Sequence, residues 1–515
     1  MKRFIGFIVL LAALTLSAAS CSDLLTIDQH GVVSVDTYYS TDAEIETASS
    51  NLYIKMRSLE GSAITLKPLL DGDFWAGGGQ HGDNSGLDKI AEYTFDSEDG
   101  SIGGYFRGLY NLIFAANTIL DKVDPGLSQV AKRTVAEAQV FRAWAYFELI
   151  SMWGTPPLVD HCLQPDEYKQ PNGDPAELWN LVNTDLQNAI ASGALPEKSG
   201  VGDKSVWRVT KQYAQAIYGK ALLWQGKNAE SAQVLDQVIS SGKYQLFDGE
   251  YGDRNTMANK FNCENLFESV FPNDPANPVT SFTGYMMGWR TDRMNPDGIS
   301  AWGIEMGFGF VAPTRAFYDA FVAHDGDSYR RKQTIKNYEE MVEMGLGLIP
   351  DAIQMGEGVY MWKDRYTRDK TPAMWCTAKN YTWMRLAEVY LVAAEAHLAA
   401  GNTAKATEYV NQIRRKAQIP DLTSVSLNDI KAEKRFELCR EGQLYQDLQR
   451  WGDTYEKLKG VGMKEPIFHE NGSITYFDCG NPADKCGYKK GKHELLPFPA
   501  NEVRLNDQIV QNPGY

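Results

Sequence analysis

Residues 208–241 read RVTKQYAQAIYGKALLWQGKNAESAQVLDQVISS, and residues 385–417 read RLAEVYLVAAEAHLAAGNTAKATEYVNQIRRKA. In each, apolar residues recur at three- and four-residue steps on both sides of a glycine, the spacing that turns one stripe of a helix toward a neighbour. With Gly226 set against Gly401, Ala221 falls on Ala396, Ala229 on Ala404, Leu235 on Val410 and Val238 on Ile413. A small residue inside the first helix lets an antiparallel partner come close, and the glycine supplies the turn. Each stretch predicts a hairpin of two helices.

This is the grammar of tetratricopeptide-like units. The copies are separated by the whole of residues 242–384, so they form no tandem array and predict a helical scaffold broken by a large insertion. Working outward, the same periodicity predicts helices over 41–59, 106–123, 131–153, 175–192, 208–226 and 229–241. It resumes over 381–400, 404–417, 427–443 and 444–459. Thr41-Asp42 opens the first of these, and Gly154 with Pro156-Pro157 stops the third. Residues 71–104 are rich in Gly and Asp and read as loop, residues 248–374 hold few long helical patterns, and the tail from Glu465 reads as loop.

The start of the chain reads as an address. Met1-Lys2-Arg3 is basic, and Phe4 to Ala19 is an apolar run, long enough for a signal core and short for a membrane span. Ala18-Ala19-Ser20-Cys21 follows, small residues before a cysteine, as a lipoprotein signal peptidase requires, with Ala18 in place of the usual Leu. Cys21 is expected to become the acylated N-terminus; ordinary secretory cleavage near Ala19 is the alternative. The expected organisation is a signal peptide over 1–20, a lipid-anchored tether over 21–36 and one domain over 37–515. Within it a helical scaffold occupies about 37–247 and 375–460, and a loop-rich part, to which the resemblance described below assigns ligand binding, occupies about 248–374 plus the tail 461–515. The fold class is mainly α, a tetratricopeptide-like helical superhelix with little β structure.

Among its 515 residues 51 are Lys or Arg and 66 are Asp or Glu, a formal charge of −15 that argues against nucleic-acid binding, which needs a basic face. There is no HExxH, GxxxxGK[ST], GxSxG or CxxC. The seven histidines are scattered, and none pairs with another at metal-ligand spacing, so neither metal nor cofactor is expected. A GxGxxG at Gly77, Gly79 and Gly82 has no strand before it and no clear helix after it, and reads as flexible loop. Asp325-Gly-Asp327 and the Asp478–Asp484 segment offer oxygens for calcium without the ligand repeat of an EF-hand. Cys479 and Cys486 (CGNPADKC) could close a small disulfide in an exported protein or stand as two free thiols; Cys439 reads as core packing.

Five fragments then carry a resemblance: AEAQVFRAWAYFELISMWGTPPLV (136–159), WRVTKQYAQAIYGKALLWQGK (207–227), RLAEVYLVAAEAHLAAG (385–401), IKAEKRFELCREGQLYQDLQRWG (430–452) and the ending QNPGY. In this order, behind a lipoprotein signal, they resemble the SusD/RagB family of outer-membrane lipoproteins. Gln443-Leu444 and Phe106 depart from the family pattern at scaffold positions. The resemblance implies a superhelix of helix pairs carrying a loop-rich half. It also implies a non-enzymatic, surface-exposed glycan binder, partnered with a SusC-like TonB-dependent transporter over which it acts as a hinged lid. A lid for peptides or another oligomer is the alternative cargo, and a lipid-anchored glycoside hydrolase is the alternative class.

A sugar presents polar edges and flat C–H faces, so a binder wants exposed aromatic platforms beside a few charged or amide groups. Trp144, Trp153, Trp179, Trp207, Trp224, Trp383 and Trp451 lie in helical patterns and read as core; Trp75, Trp289, Trp302, Trp362 and Trp375 lie in loops. The candidate glycan contacts are Trp75 with Asp73 (DGDFWAGGG), Trp289 with Tyr285, Arg290 and Asp292 (GYMMGWRTD), and Trp302 (GISAWGIEMGFGF). Each of these indoles could instead anchor its own loop, the reading favoured for Trp302.

Overall fold

The computed structural model describes residues 38–272, 274, 276, 279, 281–363, 365–367, 377–479 and 486–515. The signal peptide, Cys21, the tether, Trp375 and Asp484 lie outside them. Among the described residues no helix is long and apolar enough to cross a membrane.

Helix dominates, and the strands are short. The Thr41 hydroxyl caps Asp42–Ser58 in a reciprocal box with Glu44. Asp99 and Ser128 cap the two long helices Gly100–Lys122 and Gln129–Trp153, and Asp174 caps Pro175–Ala191. The two hairpins are Lys211–Trp224 with Asn228–Ile239, and Leu386–Ala399 with Thr403–Ala417. Their turns put Gly226 at φ +72° and Gly401 at +85°, a region glycine enters without the steric cost of a Cβ. Ala221, Leu235, Val238 and their counterparts Ala396, Val410 and Ile413 are all buried.

The hairpins are distant in sequence and adjacent in space. Asn228–Ile239 packs along Leu386–Ala399, and Asp236 Oδ1 takes both His397 Nε2 at 3.0 Å and the Tyr409 hydroxyl at 2.6 Å. From Gly100 onward each scaffold helix packs on the next, through Gln129–Trp153, Pro175–Ala191 and both hairpins. The chain between the hairpins is thus an excursion from one continuous helical stack, as the sequence grammar predicts.

Among the described residues, four small antiparallel sheets stiffen the excursion and its neighbours. They pair β1 (Phe74–Gly77) with β3 (Phe310–Pro313), β2 (Asn265–Ser269) with β7 (Tyr381–Arg385), β4 (Ile335–Asn337) with β6 (Val359–Met361), and β5 (Ile353–Met355) with β8 (Lys464–His469), which pairs β9 (Ile474–Asp478). Several boundaries correct the sequence reading. Residues 381–385 form a strand, the helix from Leu427 ends at Glu437, and a helix Glu60–Leu69 follows the first one directly. The tail is not all loop: KEPIFH and ITYFD form a hairpin across Glu470-Asn471-Gly472-Ser473, where an Asn-Gly turn signal is present. A strand, β1, does precede the GxGxxG and a short helix, Ser85–Ala91, does follow it. The loop between them is stapled by Asp83, which accepts from the Gly79 and Gln80 amides, and by Asp88, which accepts from Gly82. Cys479 and Cys486 are joined as a disulfide, and Cys439 is buried.

One buried ionic lattice ties excursion to scaffold. Arg385, at the end of β7, reaches Glu264 at 2.8 Å, Glu437 at 2.7 Å and Glu441 at 2.8 Å. Arg330, fully buried, reaches Asp325 at 2.7 Å, Glu433 at 2.9 Å and Glu437 at 3.1 Å. Lys363 and Arg254 add to Glu441, and Arg414 adds to Glu433. Asp325 is therefore spent on arginine, and Asp327 on Arg331 and Lys332. Burial alone would raise the Glu437 carboxyl; Arg385 and Arg330 overcome it and hold it down to about 2.

Glu437→Gln leaves two buried arginines short of a charge and should cost ~3–5 kcal/mol in denaturant unfolding. Because this carboxyl is depressed in the fold, its contribution is complete above its ordinary value of 4.5 and is lost as pH falls through about 2. The melting temperature of the unaltered protein should fall more steeply across that window than that of Glu437→Gln.

Candidate functional site

The segment from Phe282 to Arg293 begins as a short helix, Phe282–Met287, and turns at Gly288. Residues 307–309 run alongside it: the Phe308 amide donates to the Tyr285 carbonyl at 2.6 Å, Gly307 to Trp289 at 2.8 Å and Gly309 to Gly288 at 2.7 Å. The two backbones meet so closely that a Cβ on Gly307 would fall 2.4 Å from the Cα of Gly288. Only glycine fits this crossing, and it sets Phe308 edge-on to Tyr285, with ring centroids 5.7 Å apart. Phe282 continues the row at 5.5 Å from Tyr285. Phe282 and Phe308 are 46% and 38% exposed, a high price in hydration for two large apolar rings.

Beside this row lies a hollow of about 450 Å³, lined by Asp83, Asn84, Met286, Arg290, Asp292, Met306, Phe308 and Phe310. Its polar side is pre-ordered. Arg290 grips Asp292 with two bonds, at 2.9 and 2.8 Å, and stands 3.7 Å from Asp83. The same guanidinium bonds hold the Asp292 carboxyl below the usual range. Arg293 donates to the carbonyls of Gly79 at 2.8 Å and Ile353 at 2.5 Å, tying the β1 loop to this face. Aromatic and thioether surface next to fixed charged and amide groups suits a ligand with both apolar faces and hydroxyl edges.

The expected contacts separate into different places. Arg290 and Asp292 line the hollow and Tyr285 backs its aromatic row. Trp289 does not reach it: the indole is 6% exposed and packs with Tyr360 and Trp362 in a second small core that also holds Met341 and Phe468. Asp73 is 2% exposed and is consumed by Arg435 and Lys457, at 2.6 and 2.5 Å. Trp75 is half-buried on β1 and faces a separate recess with Glu92, Met355 and Glu465. Trp302 is 45% exposed, but its Nε1 donates to the Met344 carbonyl at 3.1 Å and its ring stands on Trp362, away from the hollow. Sequence reasoning favoured indoles and passed over Phe282, Phe308, Phe310, Met286 and Met306. The run MGFGF, with glycine on each side of Phe308, was the available signal.

Two family models match the sequence. One, described as the SusD family, matches residues 349–515, and the other, described as starch-binding associating with outer membrane, matches residues 78–223. SusD-like protein P2 of Formosa agariphila is 23% identical, with all of both chains covered. A solved laminarin binding SusD-like protein superposes with a TM-score of 0.76 at 26% identity, covering 93% of this chain and 100% of that one. Surface glycan-binding protein A from Bacteroides thetaiotaomicron, solved in complex with laminarihexaose, superposes at 0.70 with 18% identity, covering 92% and 99%. In sequence along most of its length and in its fold, the chain belongs to the SusD-like family.

Proposed function

We propose that this protein is a non-catalytic, surface-exposed glycan-binding lipoprotein that captures oligosaccharide or polysaccharide and passes it to a SusC-like TonB-dependent transporter. The observation that carries this reading is the aromatic row of exposed Phe282, half-buried Tyr285 and exposed Phe308 beside the Arg290–Asp292 couple. Pyranose C–H faces stack on the rings while the charged couple and Asn84 meet hydroxyls. The laminarin-binding relative makes a neutral β-glucan the first cargo to try.

Binding without turnover fits the electrostatics of the hollow. Glycoside hydrolysis needs one carboxyl held protonated as general acid, with its pKa raised, opposite a second carboxylate. Asp292 is shifted the other way by Arg290. Acylation of Cys21 would tether the domain to the outer membrane, and confinement there together with a repeating polymer offsets weak single-site affinity. The helical half supplies the docking face for the transporter in this reading. A cleft of about 790 Å³ lies where that half meets the C-terminal tail, with Phe106, Tyr110 and Tyr168 on the helical side, Leu505 and Ile509 on the tail side, and Asp166, Lys169 and Glu502 at its polar parts.

Calorimetry and affinity electrophoresis against laminarin, xylan, mannan and starch should identify a bound glycan without release of reducing ends. Phe308→Ala should then weaken that glycan about tenfold, the loss of one stacking platform. Arg290→Ala should weaken it comparably, whereas Trp302→Ala should retain it. Full binding by both Phe308→Ala and Arg290→Ala would place the site elsewhere.

A further inference from the structure

His81, Glu92 and Glu465 come from three separate parts of the chain: the stapled loop after β1, the residue capping the Ser85–Ala91 helix, and strand β8. One donor atom from each lies within 4.8 Å of the other two. His81 Nε2 stands 3.1 Å from Glu92 Oε1 and 3.4 Å from Glu465 Oε1. A tetrahedral zinc-class ion with bonds near 2.0–2.1 Å spaces neighbouring donors by about 3.3 Å, so both separations already suit one centre.

The surroundings are those of a built site. Glu92 and Glu465 are 4% and 6% exposed, yet Glu465 Oε1 has no hydrogen-bond donor. Two carboxylates enclosed side by side are costly unless a cation or a shared proton compensates them. The histidine side chain is 38% exposed, so solvent reaches the cluster from its side. Its ring stands edge-on to Phe477, directly opposite Glu465 across the β8–β9 ladder. Asp83 and Asp88 hold the loop backbone on either side of His81.

We propose that His81, Glu92 and Glu465 form a binding site for a divalent transition cation of the zinc class, clamping the β1 loop to the β8–β9 hairpin. One imidazole and two carboxylates favour such an ion over calcium, which takes six to eight oxygens. The clamp bears on the hollow, because the same loop carries Asp83 and Asn84 to its rim.

The test is equilibrium dialysis of the full chain, stripped with chelator, against Zn²⁺ alone and Ca²⁺ alone, with Co²⁺ absorption as a second readout. The unaltered protein should bind one Zn²⁺ in preference to Ca²⁺, and Co²⁺ should develop a visible ligand-field band. His81→Ala and Glu465→Gln should each weaken Zn²⁺ by more than the ~10–100-fold that outer-shell partners cost, and should abolish the band. His161→Ala, which removes the histidine from an exposed group with Asp160 and Glu167, should change neither. His81→Ala alters an exposed loop side chain and keeps the test valid if Glu465→Gln folds poorly. No saturable Zn²⁺ binding, equal binding by His81→Ala, or a preference for Ca²⁺ would overturn the assignment.

Discussion

Arg385 and Arg330 converge on Glu437, and this contact joins the two halves of the molecule. Glu437 and Glu433 belong to the scaffold helix Leu427–Glu437, while Arg330 and its third partner, Asp325, belong to the excursion. Arg385 stands where the excursion re-enters the scaffold and binds Glu264 near its beginning. Buried charge is tolerable only when paired and hydrogen-bonded, and Arg330, Arg385 and Glu433 each have partners on both sides of the junction. The lattice therefore fixes geometry more than it adds stability. Slack in one ion pair would leave another charge buried without its partner, so the long excursion is held in one position relative to the helices.

That rigidity matters for the hollow. Its walls come from the turn around Gly288, the strand-like run ending in β3, and the loop after β1. None of these is long enough to be stable by itself. They are held by the backbone crossing at Gly288 and Gly307, by the second small core around Trp289 and Trp362, and by Arg293 reaching two carbonyls. Trp289 packs inward in that second core, while Phe282 and Phe308 of the neighbouring row are exposed. Large flat side chains are used twice, once for packing and once for exposure, and the glycines between them decide which is which.

Helix positions were legible because an amphipathic repeat, a capping residue and a glycine turn are local signals, each present in the Thr41–Glu44 box and at Gly226 and Gly401. The β8–β9 hairpin was legible in principle through Asn471-Gly472, but a tail rich in polar residues masked the alternation. Arg290 and Asp292, which line the hollow, were legible as candidates because they adjoin an aromatic in a loop. Trp289 and Asp73 share similar local context as candidates, and the fold packs both away from the hollow.

The amino-acid sequence by itself determined the family resemblance, the helical hairpins and the interruption between them, since these depend on spacing along the chain. Only the tertiary structure decided which aromatic rings face solvent, and it alone brought His81, Glu92 and Glu465 to one point. The physical reason is that exposure and convergence depend on contacts between segments hundreds of residues apart. No local pattern encodes whether a loop tryptophan will find a second core to enter, or which carboxylate will arrive beside a histidine.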